Sequence, residues 1–212
     1  EPELTTRLDE LYDHEARLFI MLYSLKGNGQ VDYVTGRLVQ EYCALIGPEL
    51  TRRNIGSLVD LGCGDFHVGS FLASRVQDYT GIDVSRRVID ENRKRHSTAS
   101  RRFLQADATR DPLPPADAVI IRQVLQPLNN QEARRVLDQV VATYPVAFIT
   151  EHVHVESDQR PNVDMLHGAD TRVCQRSGLR IDLPPFQLRA TVLGDIAYVP
   201  GEFLRTWSVE AQ

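Results

Sequence analysis

A surplus of positive charge is the first thing this sequence lacks: 24 Lys and Arg face 29 Asp and Glu, a formal net charge of −5. General affinity for nucleic acid needs basic residues in excess on one face, so no nucleic-acid partner is expected. Cysteine is scarce too. Cys43, Cys63 and Cys174 are odd in number and lack metal-ligand spacing, which fits a reduced, cytoplasmic setting better than a disulfide framework. No interior stretch has the length and apolarity of a membrane span, and Glu1-Pro2-Glu3-Leu4 lacks the charged-then-apolar character of a signal, so no membrane partner is expected either. There is no G-x-S-x-G elbow to support Ser-His-Asp hydrolysis. No repeat and no low-complexity tail interrupts the 212 residues, a length that suits one large domain.

What the chain does have is the stretch Leu58-Val59-Asp60-Leu61-Gly62-Cys63-Gly64-Asp65-Phe66. An apolar strand running into a glycine turn and then a helix is how an open α/β sheet holds a nucleoside at its carboxyl edge. A dinucleotide G-x-G-x-x-G would put its third glycine at position 67, where this chain has His67, so a pyrophosphate is disfavoured. The helix that follows carries Val68, Phe71, Leu72 and Val76 on one face. A second strand, Tyr79-Thr80-Gly81-Ile82, ends in Asp83, at the distance where an acid can accept from both ribose hydroxyls. Arg102-Phe103-Leu104-Gln105 reads as a third strand, with Asp107 and Ala108 at its end: an acceptor for an adenine amine beside a small residue that leaves room for the ring. Taken singly, each acid also reads as a cap or turn residue, Asp107 before the Pro-rich run from Asp111 to Pro115.

These three ordered signals resemble the class I S-adenosylmethionine-dependent methyltransferases, from roughly Ile55 to Glu151. The resemblance implies an α/β, Rossmann-like, doubly wound and mostly parallel seven-stranded sheet of order 3-2-1-4-5-7-6, strand 7 antiparallel, with S-adenosyl-L-methionine as cofactor. It puts Gly62, Cys63 and Gly64 against the methionine part, Asp83 with Val84 on the ribose, and Asp107 with Ala108 on the adenine. Asp60 would order the turn or reach the ammonium through water. Asp117 to Leu125 resembles the fourth strand, which would bring Arg122 and Gln123 beside the methionine portion; Gln126 stands where relatives often carry a histidine.

The sequence before the sheet, 1–50, reads as an N-terminal helical lid, and 51–212 as the Rossmann-like domain. Leu4 to Leu25 is apolar at helical spacing, Gly27-Asn28-Gly29 breaks it, and a second helix with Val34, Leu38, Tyr42 and Leu45 ends near Gly47-Pro48. Tyr12, Tyr23 and Tyr33 are either packing residues or an aromatic face for a sulfonium. The basic run Arg86, Arg87, Arg93, Lys94, Arg95, Arg101 and Arg102 reads as a solvated helix face rather than a docking site.

Ala133 to Tyr144 carries the stripe of a crossover helix, and Val146 to Thr150 is the fifth strand, ending in Glu151-His152-Val153-His154. The polar stretch 156–178, with Asn162, Asp164, His167, Asp170 and Arg172, is too long for an idle connection and is expected to close over the acceptor. The last strands fall near Gln187 to Leu193 and Phe203 to Val209. Methyl transfer is an in-line displacement and needs a base only for a protonated acceptor. His152 or His154 is the candidate base, Glu151 its orienting acid or an amine ligand, and His167 the runner-up. A metal site is set aside because the two histidines are taken to lie on opposite faces of an extended chain. The leading function is methyl transfer to oxygen or nitrogen of a small-molecule acceptor. The alternatives use the same pocket: a cyclase, lyase or aminocarboxypropyl transferase releasing methylthioadenosine, of the azetidine carboxylate synthase kind, or a non-catalytic S-adenosylmethionine-binding partner subunit. The acceptor and the oligomeric state are not legible in the sequence.

Overall fold

The computed structural model describes residues 30–156, 159–168 and 172–210, with side chains from 36 onward and without that of Cys174. The expected first helix, its glycine break, Tyr12, Tyr23, Asp170 and the Tyr33 side chain lie outside the described residues. The elements are helix α1 (Gln30–Arg52), β1 (Ser57–Leu61), α2 (His67–Leu72), β2 (Asp78–Asp83), α3 (Arg86–His96), β3 (Arg101–Gln105), β4 (Ala118–Arg122), α4 (Asn130–Thr143), β5 (Val146–His154), β6 (Thr191–Val199) and β7 (Glu202–Glu210). The seven strands form one sheet of order β3-β2-β1-β4-β5-β7-β6. β1 to β5 are parallel, and β7 runs antiparallel to both β5 and β6. The expected sheet is the observed one.

Strands covered on both faces must be apolar throughout, which is why Leu58-Val59 and Val119-Ile120-Ile121 read as short unbroken runs. On one face Val59, Leu61, Val119, Ile121, Ile149 and Val153 pack under the α4 stripe of Ala133, Val136, Leu137 and Val140. On the other, Leu58, Ile120 and Phe148 pack against Tyr42, Ile46 and Leu50 of α1. α4 starts where it does because Asn129 and Glu132 form a reciprocal capping box.

Three local readings change. α1 does not stop at Gly47-Pro48 but runs through Pro48 to Arg52: Leu50 is fully buried, and the Thr51 hydroxyl donates to Gly47 O at 3.2 Å. Tertiary burial here outweighs the missing proline N–H. β6 begins at Thr191 rather than Gln187, whose φ of 52° is left-handed and cannot pair in a strand. Phe71 is half exposed, so the α2 core face is Val68 and Leu72.

Part of the stretch after β5 packs into the core. Asn162, Arg172 and Ser177 are buried, and Leu179, Ile181 and Phe186 join the α4-side core. Asn162 holds it there, accepting from Arg180 N and donating to Arg180 O and Pro184 O. The basic face of α3 carries its own acids, with Arg86 and Arg93 paired to Asp90 and Arg95 to Glu91. No helix among the described residues is long and apolar enough to cross a membrane.

Candidate active site

β1 delivers the chain to a turn in which Gly62 (φ 77°) and Gly64 (φ 52°) take conformations that L side chains rarely adopt. A Cβ on Gly62 would run into Val124, so the turn and the loop after β4 touch directly. A Cβ on Gly64 would meet nothing within 4 Å, leaving the main chain there open to a ligand. The N–H groups of Gly62 and Cys63 both donate to Ile82 O, at 2.8 and 2.9 Å. Asp83 closes the turn from β2: its Oδ2 accepts from Gly64 N at 3.1 Å and its Oδ1 from Ser85 N at 2.9 Å. Burial raises the Asp83 carboxyl above its ordinary range, while those amides pull the other way. Asn92 of α3 completes the turn, donating to Gly64 O at 2.7 Å.

Phe66 ends the turn at a φ of 65°. Its ring lies 5.1 to 5.2 Å from those of Tyr79, His96 and Phe103, with the Arg101 guanidinium 5.0 Å from its centroid. On the α1 face below, the Tyr79 hydroxyl donates to Asp60 Oδ2 at 2.5 Å. Burial pushes the Asp60 carboxyl up to about 6, opposed by the Tyr79 bond and the Arg122 charge. Burial also holds the Cys63 thiol well above its usual value, which makes it a poor nucleophile.

Asp107 is engaged by its own turn: Oδ1 accepts from the N–H and hydroxyl of Thr109 at 2.9 and 2.6 Å, and Oδ2 pairs with Arg110 at 3.0 Å. Ala108 O and Val84 O accept from Gln139 and Gln105 respectively. Gln123 leaves β4 with a φ of 57°, and its N–H donates to Thr150 O.

The end of β5 divides its candidates between the two faces of the sheet. Glu151 faces the α4 side, fully buried, with Oε1 accepting from Leu125 N at 2.9 Å and Oε2 without a partner. Burial pushes its carboxyl up to about 8, the nearby Arg172 charge acting against that. Glu151 therefore cannot orient His152, which faces the α1 side. His152 Nε2 instead lies 2.8 Å from Glu202 Oε2, and its ring meets Tyr198 edge to face with centroids 4.8 Å apart. Burial lowers the His152 pKa, and Glu202 pulls it back up. The expectation that His152 and His154 face opposite ways was wrong: residues two apart along a strand share a face. His154 is the cross-strand partner of Glu202, and its Nδ1 accepts from Glu156 N at 3.0 Å. No group of three metal-binding side chains occurs among the described residues. His167 pairs with Glu132 in the first turn of α4, at 3.1 Å.

Two residues were missed. Glu202 has no local motif, and only the expected β5–β7 pairing could have brought it near His152. Arg172, fully buried, donates to the carbonyls of Leu125, Gln126 and Leu128 and to Asn130 Oδ1, fixing the loop after β4.

Residues 58–144 match the methyltransferase domain family. No curated protein matches the sequence of the chain. Among solved structures, magnesium protoporphyrin IX methyltransferase from Synechocystis PCC 6803, with bound S-adenosylhomocysteine, is 15% identical with a TM-score of 0.64 over 98% of this chain and 99% of that one. The N-methyltransferase NodS from Bradyrhizobium japonicum WM9, also with S-adenosylhomocysteine, is 14% identical, TM-score 0.60, covering 80% and 86%. Human N-acetylserotonin methyltransferase, in complex with S-adenosylmethionine, is 17% identical, TM-score 0.54, covering 79% and 50%. The class I methyltransferase resemblance read in the sequence is borne out in the family matched and in the fold.

Proposed function

We propose that this chain, which carries a methyltransferase domain over residues 58–144, uses S-adenosylmethionine to methylate oxygen or nitrogen of a small molecule. The observation that carries the reading is the Gly62–Gly64 turn, pinned by Asp83 and open at Gly64, at the carboxyl edge of a sheet of this order. Such a cradle fits an adenosyl amino acid. When bound, the cofactor supplies an electrophilic methyl group on a sulfonium.

The chain's own residues supply the positioning. Asp83 keeps lone pairs for the ribose beyond those spent on Gly64 and Ser85, and Asp107 does the same for the adenine amine. Gly62, Cys63 and Gly64 let the methionine end lie on the main chain, with Gln123 at its far side. His152, kept neutral by burial and turned by Glu202, is the base for a hydroxyl or ammonium acceptor. A small acceptor agrees with the relatives named for a porphyrin and for acetylserotonin.

The test is incubation of the protein with S-adenosylmethionine and candidate acceptors, with mass spectrometry of the nucleoside released. S-adenosylhomocysteine with a methylated acceptor supports the reading. Methylthioadenosine, or no product despite binding, overturns it in favour of a lyase or cyclase, or of an inert partner.

A further inference from the structure

The proposed chemistry makes no use of Glu151, a fully buried acid at the end of β5. Its Oε1 accepts from Leu125 N at 2.9 Å, while Oε2 has no partner among the described residues. The Gln126 side chain, which acts on that carboxyl, donates from Nε2 to His152 O at 2.7 Å and leaves its own buried Oε1 without a donor. Two buried acceptors are thus unspent where one added proton would turn one of them into a donor. The surrounding charges are committed elsewhere. Arg172 spends both Nη atoms on Leu125 O, Gln126 O, Leu128 O and Asn130 Oδ1, and it feels Asp164 as well as Glu151. Arg205, the cross-strand partner of Glu151 on β7, is bound by both oxygens of Asp195, with Arg180 and Asp182 acting on it. α4 brings only its apolar stripe to this core, and His152 lies on the other face of the sheet.

Leu125 links this carboxyl to the glycine turn. The residue before it, Val124, is the side chain that a Cβ on Gly62 would strike, in the turn pinned by Asp83. An ionised carboxylate with an enclosed, unpaired oxygen loses solvation that no buried donor here replaces. Water reaches Oε2 when the loop after β4 lifts, and lifting carries Val124 away from Gly62. We infer that Glu151 is a proton-operated latch on that loop: protonated, it seats Val124 against the glycine turn, and ionised, it releases it, so that uptake of an adenosyl ligand also takes up a proton. The inference rests on the function proposed above and adds its regulation by pH. By linkage, a ligand that needs the seated loop binds the protonated form better and raises the carboxyl's proton affinity in return. Burial already pushes that carboxyl up to about 8, so affinity should be level near pH 6 and weaken as pH rises through about 8.

Calorimetry with S-adenosylhomocysteine from pH 6 to 9 tests it on wild type and Glu151→Gln, in buffers of low and high ionisation enthalpy so that protons are counted. The ligand's own amino group titrates against both proteins, so the difference between them belongs to Glu151. The two should bind alike near pH 6. Towards pH 9 wild type should lose about fivefold more affinity than the variant, the lower end of ordinary coupling between two sites, and near pH 8 it should take up protons that the variant does not. If the two affinities keep a constant ratio across the range with equal proton counts, the latch is overturned and the methyltransferase reading stands. Wild-type protein that takes up no S-adenosylhomocysteine at any of these pH values overturns both. Should Glu151→Gln fail to fold, infrared difference spectra of the wild type at pH 8 decide: adding the ligand should raise the carbonyl band of a protonated carboxyl, and no rise overturns the latch.

Discussion

Glu151 and Arg172 grip the same residue from opposite ends of its backbone: the carboxylate accepts from Leu125 N at 2.9 Å and the guanidinium donates to Leu125 O at 3.2 Å. Val124, one residue earlier, is the side chain against which Gly62 closes. The loop after β4 is therefore set from inside the α4-side core.

Because burial pushes the Glu151 carboxyl up to about 8, the folded protein holds a proton that the unfolded chain releases near the ordinary glutamate value of 4.5. Between those two pH values the native state binds more protons, so this group's contribution to stability is full below about 4.5 and declines as pH rises towards 8. Glu151→Gln should flatten that decline, since the neutral amide mimics the protonated acid. Thermal midpoints of both proteins from pH 5 to 8.5 measure it, and parallel curves would refute the assignment.

Phe66 combines a left-handed backbone with a buried aromatic cluster, so the two truncations differ in an unusual order. Phe66→Ala removes the ring and keeps the backbone strain, an expected loss of about 3 kcal/mol. Phe66→Gly removes both and should lose only about 2 kcal/mol, reversing the usual superiority of alanine over glycine. Denaturant midpoints at a constant m-value decide it.

Asp83→Ala removes both the proposed ribose acceptor and the clasp on Gly64 N, and should weaken S-adenosylhomocysteine binding by about tenfold or more. Asp83→Asn keeps one acceptor oxygen and should fall between alanine and wild type. An alanine variant with the wild-type dissociation constant would remove Asp83 from the site.

The sheet and the glycine turn were legible because their signals are local: apolar runs at strand length, glycines at fixed spacing, acids at strand ends. The divided faces of β5 were legible in principle, since alternation alone puts Glu151 away from His152 and keeps His152 with His154. Glu202 and Arg172 carry no such signal. Each acts across a pairing or a loop that brings together residues 50 and 47 positions apart, as His152 with Glu202 and Arg172 with Leu125 do. α1 overran its expected stop because a buried leucine beyond Pro48 outweighed the break.

The His152–Glu202 pair makes a kinetic prediction with a definite sign. The base form of His152 is the neutral ring, which burial favours and the Glu202 charge opposes. Glu202→Gln removes that opposition, so the acid limb of the kcat profile should move to lower pH. Turnover at the plateau should nonetheless fall, by about tenfold, because the ring loses the partner that turns it. His152→Ala should lower kcat further, with S-adenosylhomocysteine affinity little changed. A Glu202→Gln profile that keeps the wild-type acid limb would show that His152 is not the titrating base, and an equal loss of nucleoside binding in His152→Ala would make the ring a packing residue of the α1 face.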